Sequence, residues 1–439
     1  MPAPLLPAPG PARGLALAQM VNAVGDGAYY VCSALYFSRV VGLTATQIGA
    51  ALTLAWAVGA VAGVPLGHLA DRRGPRGTAV LLACATALAV AALLFVRSYA
   101  WFLPVVCAYA TAQCGLASAR QSLLAGLVPR GARTGVLAHL QSAANAGLAV
   151  GAALGAVALH TGTPAAYLTV LAVDAAAFAG CALLLWRLPA PAGGEEPVAA
   201  PGGRGGGFAV LKDRPYALVA LLNTVMLLRM PLISLVLPLW IVERTAAPGW
   251  TVSLLLVLNT VAVMLFQVRV AAAVTGLAGA VRTARSGGAV MLASCAVFGL
   301  SAVVPGPVWS VVAVLVAGAA LLVWGEMRQS AGAWQIAFDL APAGRQGQYQ
   351  GFFGAGVPVA RMLGPVLLTA MVLGGGVPGW LVLGGFFLVA GVGMGPAVRW
   401  AERRGAGAGR VPVRNAPRST GHPPVRSGLP RTTAGTNGG

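Results

Sequence analysis

Residues 134–173 read TGVLAHLQSAANAGLAVGAALGAVALHTGTPAAYLTVLAV, forty residues without Asp, Glu, Lys or Arg. A helix needs about 20 apolar residues to cross a bilayer, so this stretch is long enough to begin two crossings. Thr161-Gly162-Thr163-Pro164 divides it, because Gly and Pro together favour a turn over a continued helix. The stretch therefore reads as one spanning helix, a tight turn, and a second helix that continues to 187.

Working outward, the same pattern recurs. Another forty-residue uncharged run, 286–325, is split at Pro305-Gly306-Pro307, and shorter ones lie at 40–70, 77–96, 98–119 and 362–398. The runs predict twelve spanning helices near 15–38, 45–69, 77–96, 100–124, 137–160, 165–187, 215–241, 250–273, 286–304, 308–331, 347–373 and 378–398. They are continuously apolar and do not alternate, which excludes a membrane β-barrel. The first has one preceding base, Arg13, a hydrophobic stretch too long for a signal peptide, and no cleavage pattern, so it reads as a spanning helix. Composition agrees: 58% of the 439 residues are hydrophobic and 9% are charged. Soluble domains carry about 25% charged residues, so an ordinary soluble fold and disorder over most of the chain are both excluded. The fold class is an all-α polytopic membrane protein.

The net charge of +19, with Lys212 the sole lysine, would by itself point to an acidic partner. Its placement points elsewhere. Loop 2–3, between the second and third helices, holds Arg72, Arg73 and Arg76; loop 4–5 holds Arg130 and Arg133; loop 6–7 holds Arg204, Lys212 and Arg214; loop 8–9 holds Arg282 and Arg285; loop 10–11 holds Arg345. The alternate loops hold only Arg39, Arg97 and Arg244. Positive charge marks cytoplasmic loops, so both termini are expected in the cytoplasm and the chain in the plasma membrane. The expected organisation is a leader at 1–14, a six-helix bundle at 15–187, a Pro/Gly-rich cytoplasmic linker at 188–214, a second bundle at 215–398, and a disordered basic tail at 399–439 near anionic lipid headgroups.

The halves repeat each other faintly. Arg120-Gln121-Ser122 recurs as Arg328-Gln329-Ser330, and Leu127-Val128-Pro129 with Arg133 recurs as Leu340-Ala341-Pro342 with Arg345. Two parallel repeats around a midplane cavity is a transporter architecture.

Loop 2–3 carries the most informative motif, Gly67-His68-Leu69-Ala70-Asp71-Arg72-Arg73-Gly74-Pro75-Arg76. Gly67 permits close helix approach. Asp71 can pair with its arginines or with the positive end of a neighbouring helix. Such a cluster is either a latch between two bundles or a topology anchor, and an anchor needs neither the acid nor the glycines. The motif resembles the signature loop of the major facilitator superfamily, with Gly67, Leu69, Ala70, Asp71, Arg72, Gly74 and Arg76 in matching places. The resemblance implies a gating role for Gly67, Asp71, Arg72, Gly74 and Arg76. Gly147, Gly151 and Gly155 resemble the helix-5 motif of the family's proton-coupled antiporters, although Ala152 stands where that motif has proline; close packing explains the same glycines.

Charges inside a span are costly and mark pathways or proton relays. Asp26, Asp174, Arg120 and Glu326 are the candidates for proton coupling, and Arg120 resembles the family's helix-4 arginine. Arg229 and Arg361 must face a cavity, a carboxylate or an anionic solute, with Asp26 and Asp174 as conceivable partners for Arg229. Tyr29, Tyr30 and Trp324, together with Trp334, Phe352 and Phe353, are candidate aromatic walls of the substrate cavity. The six cysteines fall in helices without metal spacing, and no phosphate-binding loop or catalytic triad occurs. No cofactor or metal is expected. The partners expected are the lipid bilayer, a small-molecule substrate and protons, without nucleic acid, for a monomeric chain. The expected function is proton-coupled efflux of a small hydrophobic or cationic solute by alternating access, the direction resting on the resemblance. A symporter or uniporter is the alternative, and a membrane-embedded enzyme or receptor the rival from another class.

Overall fold

The structure is a computed structural model and describes residues 4–191 and 209–407. The middle of the expected linker, with Arg204, and the expected tail from 408 onward lie outside the described residues. The first six long helices are α1 (Pro11–Arg39), α2 (Ala45–Arg73), α3 (Pro75–Leu93), α4 (Tyr99–Leu127), α5 (Arg133–Thr161) and α6 (Pro164–Trp186). After the linker come α7 (Arg214–Arg244), α8 (Trp250–Ala272), α9 (Gly276–Leu300) and α10 (Val308–Leu340). α11 is built from the consecutive pieces Gln346–Gly354, Gly356–Leu368 and Thr369–Gly374, and α12 is Gly375–Gly407.

Among the described residues ten helices are long and apolar enough to cross a membrane. The last of these, Gln346–Arg404, contains both α11 and α12, which meet at the non-helical Gly376. α1 is not in that set; Arg13, Asp26 and Arg39 dilute its apolar character, yet its 29 residues extend about 43 Å. All twelve expected segments thus have a helical counterpart.

Several helices reach past expectation, α2 to Arg73 and α10 to Leu340 among them, and two of these extensions are long and take up arginines. α9 begins at Gly276, so Arg282 and Arg285 sit on its first turns and not in a loop. α12 runs to Gly407, so Arg399, Arg403 and Arg404 are helical, where the tail was expected to be disordered from 399. In both cases the apolar face of the helix outlasts the uncharged run: Ala280 and Ala284 are buried on α9, and Ala401 on α12. The Thr161–Pro164 turn forms as read, with Gly162 left-handed at φ 64° and the Thr163 side chain capping α6.

The bundles repeat each other in packing. α1 lies against α5 and α6 as α7 lies against α11 and α12, and α3 pairs with α4 as α9 pairs with α10. Across the bundles α2 packs on α11, and α5 on α8. The cores show where this contact falls. At the ends carrying loops 2–3 and 10–11 they merge: Val64 and Ala138 of the first bundle share a core with Ala331 and Tyr349 of the second, and Phe338 of the second joins Leu123 and Leu185 of the first. At the opposite ends the cores are separate, one around Tyr36, Phe37 and Phe102, the other around Trp240, Phe298 and Trp380. Large apolar side chains such as Val61, Phe95, Trp101 and Val366 are exposed on the outer faces, as a lipid environment requires.

Candidate functional site

Between the bundles lies a cavity of about 460 Å³, lined by side chains of α1, α2, α4, α5, α7, α8, α10 and α11. α7 and α11 are irregular where they reach it. Pro231 starts a π-helical turn at Leu232–Val236, directly after Arg229 and Met230, as Pro in a helix removes a backbone donor. α11 breaks at Ala355 between Gly354 and Gly356, beside the lining residues Phe353 and Val357.

Five of the intramembrane charges meet there: Asp26, Arg120, Arg229, Glu326 and Arg361. The Asp26 carboxylate accepts from Asn22 Nδ2 at 2.7 Å and from Gln113 Nε2 at 3.3 Å. Arg120 and Arg361 act on it electrostatically, but neither is within ion-pair distance of a carboxylate among the described residues. Glu326 is held differently. Arg229 approaches it at 3.5 Å and Asn259 donates to it at 3.1 Å, while Arg229 also donates to Ser330 Oγ at 3.0 Å. Arg229 therefore takes Glu326 as its partner, and neither Asp26 nor Asp174. Arg361 lies over the rings of Trp56, at 5.6 Å, and Tyr30, at 5.9 Å, a cation–π arrangement.

Several expected residues lie elsewhere. Asp174 is fully buried between α6 and α1, beside Gly25, and neither of its oxygens has a hydrogen-bond partner. Tyr29 is buried in a ring cluster with Tyr109, 5.8 Å away, and does not line the cavity. Trp324 is 43% exposed beneath Arg328, because it sits two positions from Glu326 on a helix and so turns to another face. Arg328 donates to Ser286 Oγ, so the repeat of Arg120 faces away from the cavity. Trp334 and Phe353 line it and Phe352 does not.

What a reading confined to charges missed is a set of amides. Asn22, Gln113, Gln121, Asn223, Gln329 and Gln350 all line the cavity. Their signal was available, since a polar amide within an apolar helix needs a partner.

At the loop 2–3 end the seal is made of backbone. Gly67 of α2 faces Gly347 of α11, and Gly63 faces Gly351; a Cβ at Gly67 would strike the Gly347 carbonyl. The Asp71 carboxylate accepts from the N–H groups of Gly347 at 2.7 Å and Gln348 at 2.9 Å, and from Ser122 Oγ at 3.0 Å. These N–H groups open α11, whose first-turn donors have no intrahelical acceptor and carry partial positive charge. Of the two partners open to Asp71, it takes the helix end of the other bundle. Its neighbouring arginines turn away: Arg72 is exposed, and Arg76 donates to the Leu188 carbonyl at 2.9 Å. Gly74 stands at φ 96°, a conformation open to glycine, where α2 gives way to α3. Nearby, Thr134 of α5 hydrogen-bonds Gln335 of α10, and Arg133 lies 5.6 Å over the Phe338 ring.

Two helical bundles around a cavity that collects charged and amide side chains, sealed at one end by contacts between the bundles, define the class as a membrane transporter scaffold. The sequence profile of the Major Facilitator Superfamily matches residues 15–365, and the chain belongs to that family of transporters. Solved structures share the fold. A variant of the fucose:proton symporter FucP of E. coli is 15% identical with a TM-score of 0.67, covering 89% of this chain and 98% of that one. A bacterial homologue of the iron transporter ferroportin, in an outward-facing state, is 15% identical with a TM-score of 0.66, covering 90% and 100%. The human organic anion transporter MFSD10 is 16% identical with a TM-score of 0.63, covering 87% and 98%. No curated protein matches this chain by sequence.

Proposed function

We propose that this chain is a proton-coupled secondary transporter that exports a small solute across the plasma membrane by alternating access, with both termini in the cytoplasm. The observation that carries the coupling is Asp26: a cavity-lining carboxylate held by two amides, in reach of two guanidiniums, and bound to neither. Such a group can exchange a proton with the cavity without breaking an ion pair. Glu326 is neutralised by Arg229 and serves to hold α7 against α10. Asp174 is a second candidate, whose influence on the cavity would run through α1.

The arginine-rich loops support a cytoplasmic position for the sealed end, and on that placement the cavity faces outward. The Asp71 latch then closes the cytoplasmic gate and must release for the solute to enter from inside. Export is the direction favoured by the resemblance of α5 to the antiporter motif.

The test is Asp26→Asn in proteoliposomes, with a solute first identified by a thermal-shift screen of the purified protein. We expect pH-gradient-driven transport to be abolished while exchange of the same solute across equal pH persists. Wild-type response to the gradient would refute the role of Asp26, and loss of exchange as well would show a binding defect in place of a coupling one.

A further inference from the structure

We propose that the cavity binds a solute with a single carboxylate head on a body rich in hydroxyl or amide groups, the head lying near Arg361 and Arg120. This rests on the transporter reading of the same cavity and narrows its substrate class, away from the hydrophobic or cationic solute expected from resemblance.

Charge is the first argument. Three guanidiniums line the cavity, Arg120, Arg229 and Arg361, against two carboxylates, Asp26 and Glu326. Glu326 and Arg229 neutralise each other. Asp26 is shared by the other two, which leaves one unmatched positive charge in a partly water-excluded space. An isolated buried charge is unfavourable unless paired, and a monoanion is the smallest solute that completes the set. A cation would meet three guanidiniums and find one carboxylate not already ion-paired.

Geometry is the second. Trp56 and Tyr30 both lie against the Arg361 guanidinium, whose planar fork suits a carboxylate. Arg120 Nη1 is buried without a hydrogen-bond partner.

The third argument is the body of the solute. Asn22, Gln121, Gln329 and Gln350 line the cavity, and each has a buried side-chain atom without a hydrogen-bond partner, Asn22 Oδ1, Gln121 Oε1, Gln329 Oε1 and Gln350 Nε2. Of these residues, Asn22 is 1%, Gln329 2% and Gln350 7% exposed. Gln329 is oriented by donating to Asn223 Oδ1 at 2.7 Å, which leaves its oxygen without a protein partner. Donors and acceptors are mixed, which suits hydroxyls and amides, and they stand beside apolar walls from Leu137, Leu140, Trp334 and Phe353 that can take the carbon skeleton of such a solute.

Two matched series test the proposal by calorimetric titration of the full chain in nanodiscs. The first compares gluconate, sorbitol, N-methylglucamine and sorbitol 6-phosphate, which share a hexitol skeleton and differ in charge. The second compares pantothenate with neutral panthenol. We expect at least one monocarboxylate to bind at least tenfold more tightly than its neutral or cationic counterpart. Arg361→Gln should abolish that preference, Arg361→Lys should keep part of it, and Asp26→Asn should tighten the carboxylate by removing a negative charge. The proposal is overturned if a neutral or cationic member binds as tightly, if no monocarboxylate binds at 20 mM, or if Arg361→Gln in folded protein leaves the preference intact. Binding and transport are read separately. Carboxylate binding without movement across liposomes would refute the transporter reading alone, and transport of a cation would refute this inference alone.

Discussion

Two glycine seams hold this molecule together, and they are built differently. Between α1 and α5, glycines meet the backbone of residues that carry side chains: Gly147 and Gly151 lie on the Met20 and Val24 carbonyls, and Gly27 lies on that of Leu148. The flanking side chains interlock, so the seam cannot part without exposing them. Between α2 and α11, glycine faces glycine at the Gly63–Gly351 and Gly67–Gly347 pairs. Little side-chain surface is buried at those points, and the strongest bonds are those of Asp71 to two N–H groups at a helix end. The first seam lies inside a bundle and the second between bundles. The contact within the bundle is made with interlocked side chains, and the contact between bundles with bare backbone and a few directional hydrogen bonds, the construction a reversible gate would need.

The largest effect should come from breaking the seam within the bundle. Gly151→Leu places a side chain on the Val24 carbonyl, and overpacking of this kind costs about 3 kcal/mol or more. We expect loss of monodisperse protein on size exclusion and a markedly lower unfolding temperature. A folded, active variant would remove the distinction between the seams. Gly67→Leu should be milder for the fold and severe for the cycle. With the bundles unable to close, cysteines placed at the loop 2–3 end should become reactive and transport should fall by at least about tenfold, which at 1.4 kcal/mol per decade is a modest energetic change. Wild-type reactivity would show that the gate does not depend on this approach. Asp71→Ala should have the smallest effect of the three. It adds no bulk, so the bundles can still close, and the bonds it removes between the bundles, from the Gly347 and Gln348 N–H groups, are made in the closed state only. Cysteine accessibility at the loop 2–3 end should rise without loss of stability, while the exposed Arg72→Ala should leave it unchanged. Equal behaviour of the two variants would favour the topology anchor.

The same contrast, between contacts fixed and contacts free to change, separates the two cavity acids. Both Asp26 and Glu326 stand out in sequence as charges in apolar helices. Nothing along the chain says that Glu326 is ion-paired and Asp26 is not, because their partners lie on other helices: Arg229 is 97 residues from Glu326 by number, and Gln113 is 87 from Asp26. Trp324 was misplaced for a related reason. Its depth in the membrane is legible from helix rise, but the face it occupies depends on how α10 is rotated against its neighbours.

Spans, the Thr161–Pro164 turn, the duplicated halves and the motif after α2 were all legible in the sequence alone, because each follows from local requirements. Backbone groups in a bilayer must bond within their own helix, and the apolar runs that permit this are contiguous in the chain. Which charges meet, which end of the cavity is sealed, and whether a glycine seam lies within a bundle or between bundles were decided only in three dimensions. Those properties arise from the relative rotation and depth of helices whose residues are far apart in sequence, and side-chain pairing across such distances follows from packing.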